Sequence, residues 1–132
     1  MTQPRKILVV DDTPGNITLL ADLLTVKGYE VATAESGHEA LARIAADCPD
    51  LVLLDVMMPG MNGYEVCQRI RQNPATEILP VVMVTALDPA QERTKGIEAG
   101  ADDFLGKPVN QQELLARVRS LLKVKEYYSC RL

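Results

Sequence analysis

The sequence predicts an α/β fold: a five-stranded parallel sheet in strand order 2-1-3-4-5, with helices on both faces. Three observations carry that prediction. Short continuous apolar runs recur along the chain, each bounded by turn signals, as strands buried on both faces require. Helix-period segments alternate with these runs, and four of them open on a capping pair. The chain has 132 residues, 47% hydrophobic and 24% charged, which suits one domain with a single sizeable core.

The first strand is expected near 5–10, where Ile7-Leu8-Val9-Val10 runs into Asp11-Asp12. Thr13 as N-cap and Pro14 at the first helical position open a helix over 14–27. Ile17, Leu20, Ala21 and Leu24 recur at helical spacing in it, and Gly28 can end it. A weaker strand follows at 29–34. Ser36 and Glu39 open a second helix over 37–46. The most apolar run, Leu51-Val52-Leu53-Leu54, gives a strand over 50–54 and ends on Asp55. Gly60 and Gly63 serve the turn that follows. Asn62 and Glu65 then open a helix over 63–72.

Val81-Val82-Met83-Val84 gives a strand over 80–84 and runs into Thr85, and Asp88 with Gln91 opens a helix over 89–99. Phe104-Leu105-Gly106 lies in a last strand over 103–106 and leads to Lys107-Pro108. Asn110 and Glu113 open a last helix over 111–125, with Leu114, Leu115, Val118, Leu121 and Leu122 as its apolar face. Lys123 to Tyr128 stays helix-compatible and contains no stop signal.

This alternation forces parallel strands joined by right-handed crossovers. The flavodoxin-like order puts strands 1 and 3 side by side at the switch point, where ligands bind beyond the carboxyl ends of strands. Asp11, Asp12 and Asp55 therefore become neighbours, with Thr85 and Lys107 at the ends of the next two strands.

Composition narrows the function. A net charge of −4 argues against nucleic acid as this domain's partner. No apolar stretch approaches the roughly 20 residues of a membrane span, and no signal-peptide core opens the chain, so a cytoplasmic protein without membrane contact is expected. Cys48, Cys67 and Cys130, odd in number and widely spaced, fit reduced thiols. The only histidine, His38, begins a helix and reads as an exposed position. No glycine-rich phosphate loop is present, so nucleotide binding has no support.

Three carboxylates at one site repel one another. Two unit charges about 4 Å apart cost roughly 4 kcal/mol at an effective dielectric near 20. Such a cluster stays ionised only with cations in it, and hard oxygen donors without His or Cys select Mg²⁺ over zinc. Phosphoryl transfer onto a carboxylate is the chemistry this site suits. Asp55 is assigned as the nucleophile. Asp11, Asp12, Asp55 and the Met57 backbone carbonyl would hold the metal. Lys107 would pair with the phosphoryl group and the Thr85 hydroxyl would donate to it.

From about Arg5 to Leu122 the chain resembles the receiver domain of two-component response regulators. The matching residues are Asp11-Asp12, Leu53-Leu54-Asp55-Val56-Met57-Met58-Pro59-Gly60-Met61-Asn62-Gly63, Thr85-Ala86 and Lys107-Pro108. The resemblance implies that residues 1–122 form the receiver domain and that 123–132 are a helix extension or a truncated linker, like the helix leading to a diguanylate cyclase or similar output domain. It implies a signalling switch, not an enzyme, aside from catalysing its own phosphorylation and dephosphorylation. A sensor histidine kinase or phosphotransfer protein would phosphorylate Asp55 in a Mg²⁺-dependent step. Thr85 and Phe104 would be the switch pair, with Thr85 moving towards the phosphoryl group and vacating space for Phe104. The helix 4/strand 5/helix 5 face would then control homodimerisation or an output partner. A cis bond before Pro108 is also implied. Many relatives carry Tyr where Phe104 stands, and Met57 and Leu87 offer no polar group to orient an attacking water, so slow self-dephosphorylation is expected.

Three readings compete. A small phosphohydrolase with an Asp nucleophile is the main alternative, since Val9-Val10-Asp11-Asp12-Thr13 faintly resembles an Asp-x-Asp-x-Thr start; adjacent aspartates and the lack of room for a cap domain count against it. An FMN-binding carrier needs a phosphate loop that Asp11-Asp12 would repel. A phosphate-independent scaffold leaves the complete acceptor set unexplained.

Overall fold

Five strands and five helices alternate along the chain. A computed structural model describes residues 4–86 and 89–131, apart from the side chains of 89, 91–93 and 124–131. The strands are β1 (Lys6–Val10), β2 (Glu30–Ala34), β3 (Leu51–Asp55), β4 (Val81–Thr85) and β5 (Asp103–Gly106). The helices are α1 (Pro14–Val26), α2 (Gly37–Ala46), α3 (Gly63–Gln72), α4 (Pro89–Ala99) and α5 (Gln111–Arg131). All pairings are parallel, in the order β2-β1-β3-β4-β5. The expected fold class is the observed one.

The sheet separates two apolar layers, because successive strand residues face opposite ways. Ile7, Val9, Leu51, Leu53, Val82 and Leu105 pack with Ile17, Leu20 and Leu24 of α1 and with Leu114, Val118 and Leu122 of α5. Leu8, Val10, Val52, Leu54, Val81, Met83 and Phe104 pack on the other side with residues of α2, α3 and α4. Every residue of β3 and β4 is buried. A large aliphatic side chain buried in this way contributes about 1.5–3 kcal/mol.

Arg71 of α3 ties the amino-terminal end of the sheet together. Its guanidinium donates to the Gly100 carbonyl at 2.9 Å, the Leu79 carbonyl at 2.6 Å and the Asp102 carboxylate at 2.8 Å. The same Asp102 oxygen accepts the Val81 N–H at 2.8 Å. This knot satisfies the end of α4 and the entry to β4 with one side chain.

Local signals are met to different degrees. Asn62 and Glu65 make both bonds of a capping box. Ser36 accepts from the Glu39 N–H, but Glu39 reaches back to the Glu35 N–H rather than to that of Ser36. Asn110 accepts from the Glu113 N–H. Thr13 holds the N-cap position without a side-chain cap bond; its N–H is engaged by Asp11 instead. Gly28, at φ +92°, ends α1 as expected, with Tyr29 N–H on the Leu24 carbonyl and Gly28 N–H on that of Thr25. The Asp88–Gln91 pair and Leu87 lie outside the described residues. α5 continues to Arg131, past the expected end at 125, as a stretch without a stop signal allows.

Neither Cys48 nor Cys67 is in a disulfide; Cys67 is buried, and that burial pushes its thiol up to about 11. The Cys130 side chain lies outside the description. Among the described residues, no helix is long and apolar enough to cross a membrane.

Candidate functional site

β3 ends on Asp55, β4 on Thr85, and β1 runs straight into Asp11, all at the carboxyl end of the sheet, and the loop after β5 brings a cation to them. The pairing of β1 with β3 places Val10 beside Leu54, so Asp11 and Asp55 leave the sheet as neighbours. Asp11 is 2% exposed, Asp55 3% and Thr85 fully buried; Asp12 is exposed. One carboxylate oxygen from each of Asp11, Asp12 and Asp55 lies within 4.8 Å of the other two. The structure thus brings together the three acidic residues chosen from the sequence.

Lys107 bridges the two buried carboxylates. Its ammonium is 3.1 Å from Asp11 Oδ2 and 3.2 Å from Asp55 Oδ1. Its backbone N–H donates to the Thr85 carbonyl at 2.8 Å, fixing the loop to the end of β4. The Lys107–Pro108 bond is cis.

The electrostatics follow from burial. Asp55 is pushed up to about 6, first by burial and then by the neighbouring Asp11 charge; Lys107 and the Met57 N–H oppose the rise. Burial by itself would lower the Lys107 ammonium, but its hydrogen bond to Asp11 and the charges of Asp55 and Asp11 outweigh it and raise it overall. Three carboxylates against one ammonium leave the cluster negative. Its donors are all hard oxygens, a set that fits a divalent ion such as Mg²⁺.

Several contributors have no signal in the sequence at the level of motifs. Asn16, in the first turn of α1, donates to Asp11 Oδ2 at 3.3 Å, and the Thr13 N–H donates to Asp11 Oδ1 at 2.9 Å. The second contact is an Asx-type turn, for which an Asp two residues before Thr13 is a legible but weak cue. Asn16 becomes legible only once the helix start is known to fold back over strand 1. The Met57 backbone N–H favours the charged form of Asp55, while the Met57 side chain is 58% exposed.

The two glycines of the β3–α3 loop differ in purpose. Gly60 takes φ +76°, a turn conformation glycine suits. Gly63 is not a turn residue in that sense. A Cβ there would stand 2.4 Å from the Asp55 carbonyl oxygen and 2.9 Å from the Val56 Cα. Its N–H also donates to the Val56 carbonyl at 2.9 Å. The start of α3 therefore rests directly on the backbone that carries Asp55.

The Phe104 ring is buried at 8% exposure, in the layer that includes Met83 and Ala99.

Comparison with known proteins agrees with this geometry. Residues 7–119 match the family described as response regulator receiver domain. The chain is 52% identical over 120 residues to the response regulator PleD of Caulobacter vibrioides, covering 91% of this chain and 26% of PleD. It is 45% identical to the phosphate regulon transcriptional regulatory protein PhoB of Rhizobium meliloti, covering 89% of this chain and 52% of PhoB. It thus spans between a quarter and about half of these relatives. Among solved structures, a CheY-like response regulator receiver domain protein from Methanospirillum hungatei superposes with a TM-score of 0.88 at 30% identity, covering 95% of this chain and 98% of that one. The chemotaxis protein CheY4 of Vibrio cholerae gives 0.85 at 32% identity, covering 89% and 98%. A family match over most of the chain, the shared fold and a carboxylate pair bridged by lysine lead to one conclusion: this chain belongs to the response regulator receiver domain family.

Proposed function

We propose that this receiver domain accepts a phosphoryl group on Asp55 from a sensor histidine kinase or phosphotransfer protein and relays the change to the face formed by α4, β5 and α5. The observation that carries the reading is the placement of Lys107, within hydrogen-bond distance of both Asp11 and Asp55, two carboxylates otherwise sealed from solvent. An ammonium held there is poised to accompany a phosphoryl group arriving on Asp55.

In the transfer step an Asp55 carboxylate oxygen attacks phosphorus while the bond from phosphorus to the donor breaks. The electron pair leaves with the donor, on imidazole nitrogen for a phosphohistidine or on acetate for acetyl phosphate. Such a reaction depends mainly on in-line positioning and on neutralising the phosphoryl oxygens. Lys107 supplies one fixed positive charge. The Met57 N–H favours the ionised Asp55 carboxylate, and Asn16 with the Thr13 N–H holds that of Asp11. Thr85 is buried at the end of the neighbouring strand, and its hydroxyl would donate to a phosphoryl oxygen. Asp11, Asp12, Asp55 and the Met57 carbonyl would hold Mg²⁺, which when bound would supply the remaining positive charge.

The added group brings about −1.5 to −2 charges and three acceptor oxygens. Thr85 and Phe104 lie on the same side of the sheet, because Met83 pairs with Phe104 and Thr85 follows Met83 by two residues. A rearrangement at Thr85 is thereby passed towards α4, and dimerisation or an output partner would read it. The α5 extension beyond Leu122 would serve as the connection to that output, and the domain would work in the cytoplasm. Mass spectrometry after incubation with acetyl phosphate and Mg²⁺ tests the reading. A phosphoryl adduct on wild type and none on Asp55→Asn is the expected result. An adduct equally abundant on the variant, or none on either, would reject it.

A further inference from the structure

α4 carries a glycine whose missing side chain is replaced by an aromatic ring. Gly96 is buried within the helix. A Cβ built on it would lie 1.7 Å from Phe104 Cζ, 2.3 Å from Cε1 and 3.0 Å from Cε2. No real Cβ can share that space, so the edge of the ring rests on the helix backbone itself. Glycine inside a helix costs stability relative to alanine, and such a position usually has a packing or functional reason. Turn geometry is not the reason, because the turn that ends α4 is made by Gly100 at φ +98°. The ring is.

We propose that Gly96 is a positioning residue that seats the Phe104 ring against α4 and so couples that helix to strand β5. The inference rests on the reading of Phe104 as part of the switch, and deepens it by naming what the ring presses on. With no side chain between ring and helix, any displacement of Phe104 meets the α4 backbone directly. Conversely, any shift of α4 opens or closes the space the ring occupies. A methyl at position 96 leaves two reliefs: the ring swings away from the helix, or the helix lifts from the sheet. Either one separates Phe104 from residue 96 and breaks the coupling.

Phe104 is the only phenylalanine of the chain, so ¹³C-labelled phenylalanine gives one ring spin system by NMR. In wild type, nuclear Overhauser cross-peaks are expected between the ring protons and the Gly96 Hα protons. In Gly96→Ala those to residue 96 should be lost and the ring resonances should shift. Cross-peaks and ring shifts that persist unchanged in the variant would overturn the proposal. Urea unfolding of Gly96→Ala, Phe104→Ala and the double variant gives an independent measure. Gly96→Ala should lower the midpoint in the wild-type background and raise it or leave it unchanged in the Phe104→Ala background, where the ring is gone and alanine suits the helix better than glycine. An equal fall in both backgrounds, or failure of both Gly96→Ala proteins to fold, would overturn the proposal; folding of the double variant alone would support it.

A final arm follows the ring resonances during acetyl phosphate and Mg²⁺ treatment, with adduct formation read in parallel by mass. The expected outcome is a ring shift in wild type that is lost in Gly96→Ala while the Asp55 adduct still forms. An adduct with a stationary wild-type ring would reject the role of Phe104 in switching and leave the seat to be judged by the cross-peaks and unfolding. Absence of any adduct would instead reject the acceptor reading. A ring shift of equal size in both proteins would overturn the coupling through Gly96.

Discussion

The Lys107 ammonium stands 3.2 Å from the Asp55 carboxylate, although the two residues are 52 positions apart in the chain. It opposes the effects of burial and of Asp11 on Asp55. Replacing Lys107 with Met should move the Asp55 pKa further upward and slow phosphorylation by acetyl phosphate on the order of 10²-fold, by analogy with losing one preorganised charge-stabilising donor. A ¹³C NMR titration of the aspartate carboxyls, paired with the rate of adduct formation, checks both effects. An unchanged rate would remove Lys107 from the chemistry.

A raised carboxyl makes a signed prediction about stability. Burial and then the Asp11 charge push the Asp55 carboxyl up to about 6 in the folded chain, above the 3.8 usual for an aspartate. Between those values the folded state binds more protons than the unfolded one, so stability falls as pH rises from about 4 through 6. A rise of that size corresponds to roughly 2–3 kcal/mol. Asp55→Asn should therefore exceed wild type by about that amount at pH 8 without divalent ions, and differ little at pH 4. Urea unfolding at the two pH values measures it; a variant no more stable at pH 8 than wild type would refute the prediction.

Gly63 and Gly15 should respond oppositely to alanine. Gly63→Ala drives a methyl against the Asp55 carbonyl and should cost about 1–3 kcal/mol, as overpacking does, while weakening Mg²⁺ binding by calorimetry. A Cβ at Gly15, in the first turn of α1, meets nothing within 4 Å. Gly15→Ala should stabilise by about 0.4–1 kcal/mol through the unfolded state.

Arg71→Met separates stability from chemistry. The variant takes the donor from the Gly100 and Leu79 carbonyls and leaves Asp102 with the Val81 N–H alone, and a loss of about 1–3 kcal/mol is expected. Adduct formation on Asp55 at a temperature where the variant remains folded should stay at the wild-type rate, because the knot sits at the opposite end of the sheet.

The Met57 side chain, exposed beside Asp55, has no polar atom with which to orient an attacking water. Met57→Asn should shorten the phosphoryl half-life severalfold, read by decay of the adduct mass after removal of the donor. A half-life no shorter than wild type would count against that role.

The strand order and the ends of the apolar runs were legible because burial on both faces leaves long hydrophobic words, and a parallel sheet must gather their carboxyl ends. Asp11, Asp12, Asp55 and Lys107 could be named from that alone. What a residue list hides is contact between distant backbones. Gly63 and Gly96 look like ordinary helix residues until α3 is seen resting on Asp55 and α4 on Phe104. Thr13 carries every mark of a cap, but Asp11, two residues earlier, engages its N–H. Asn16 needed the fold-back of α1 before its amide could be connected with Asp11.

The strands act as a bulkhead. Leu53 and Leu54 are adjacent in the chain, yet each belongs to a different compartment of packing. A change of volume at Leu53 therefore falls on the layer of α1 and α5, and one at Leu54 on the layer of α2, α3 and α4, although a single peptide bond joins the two residues.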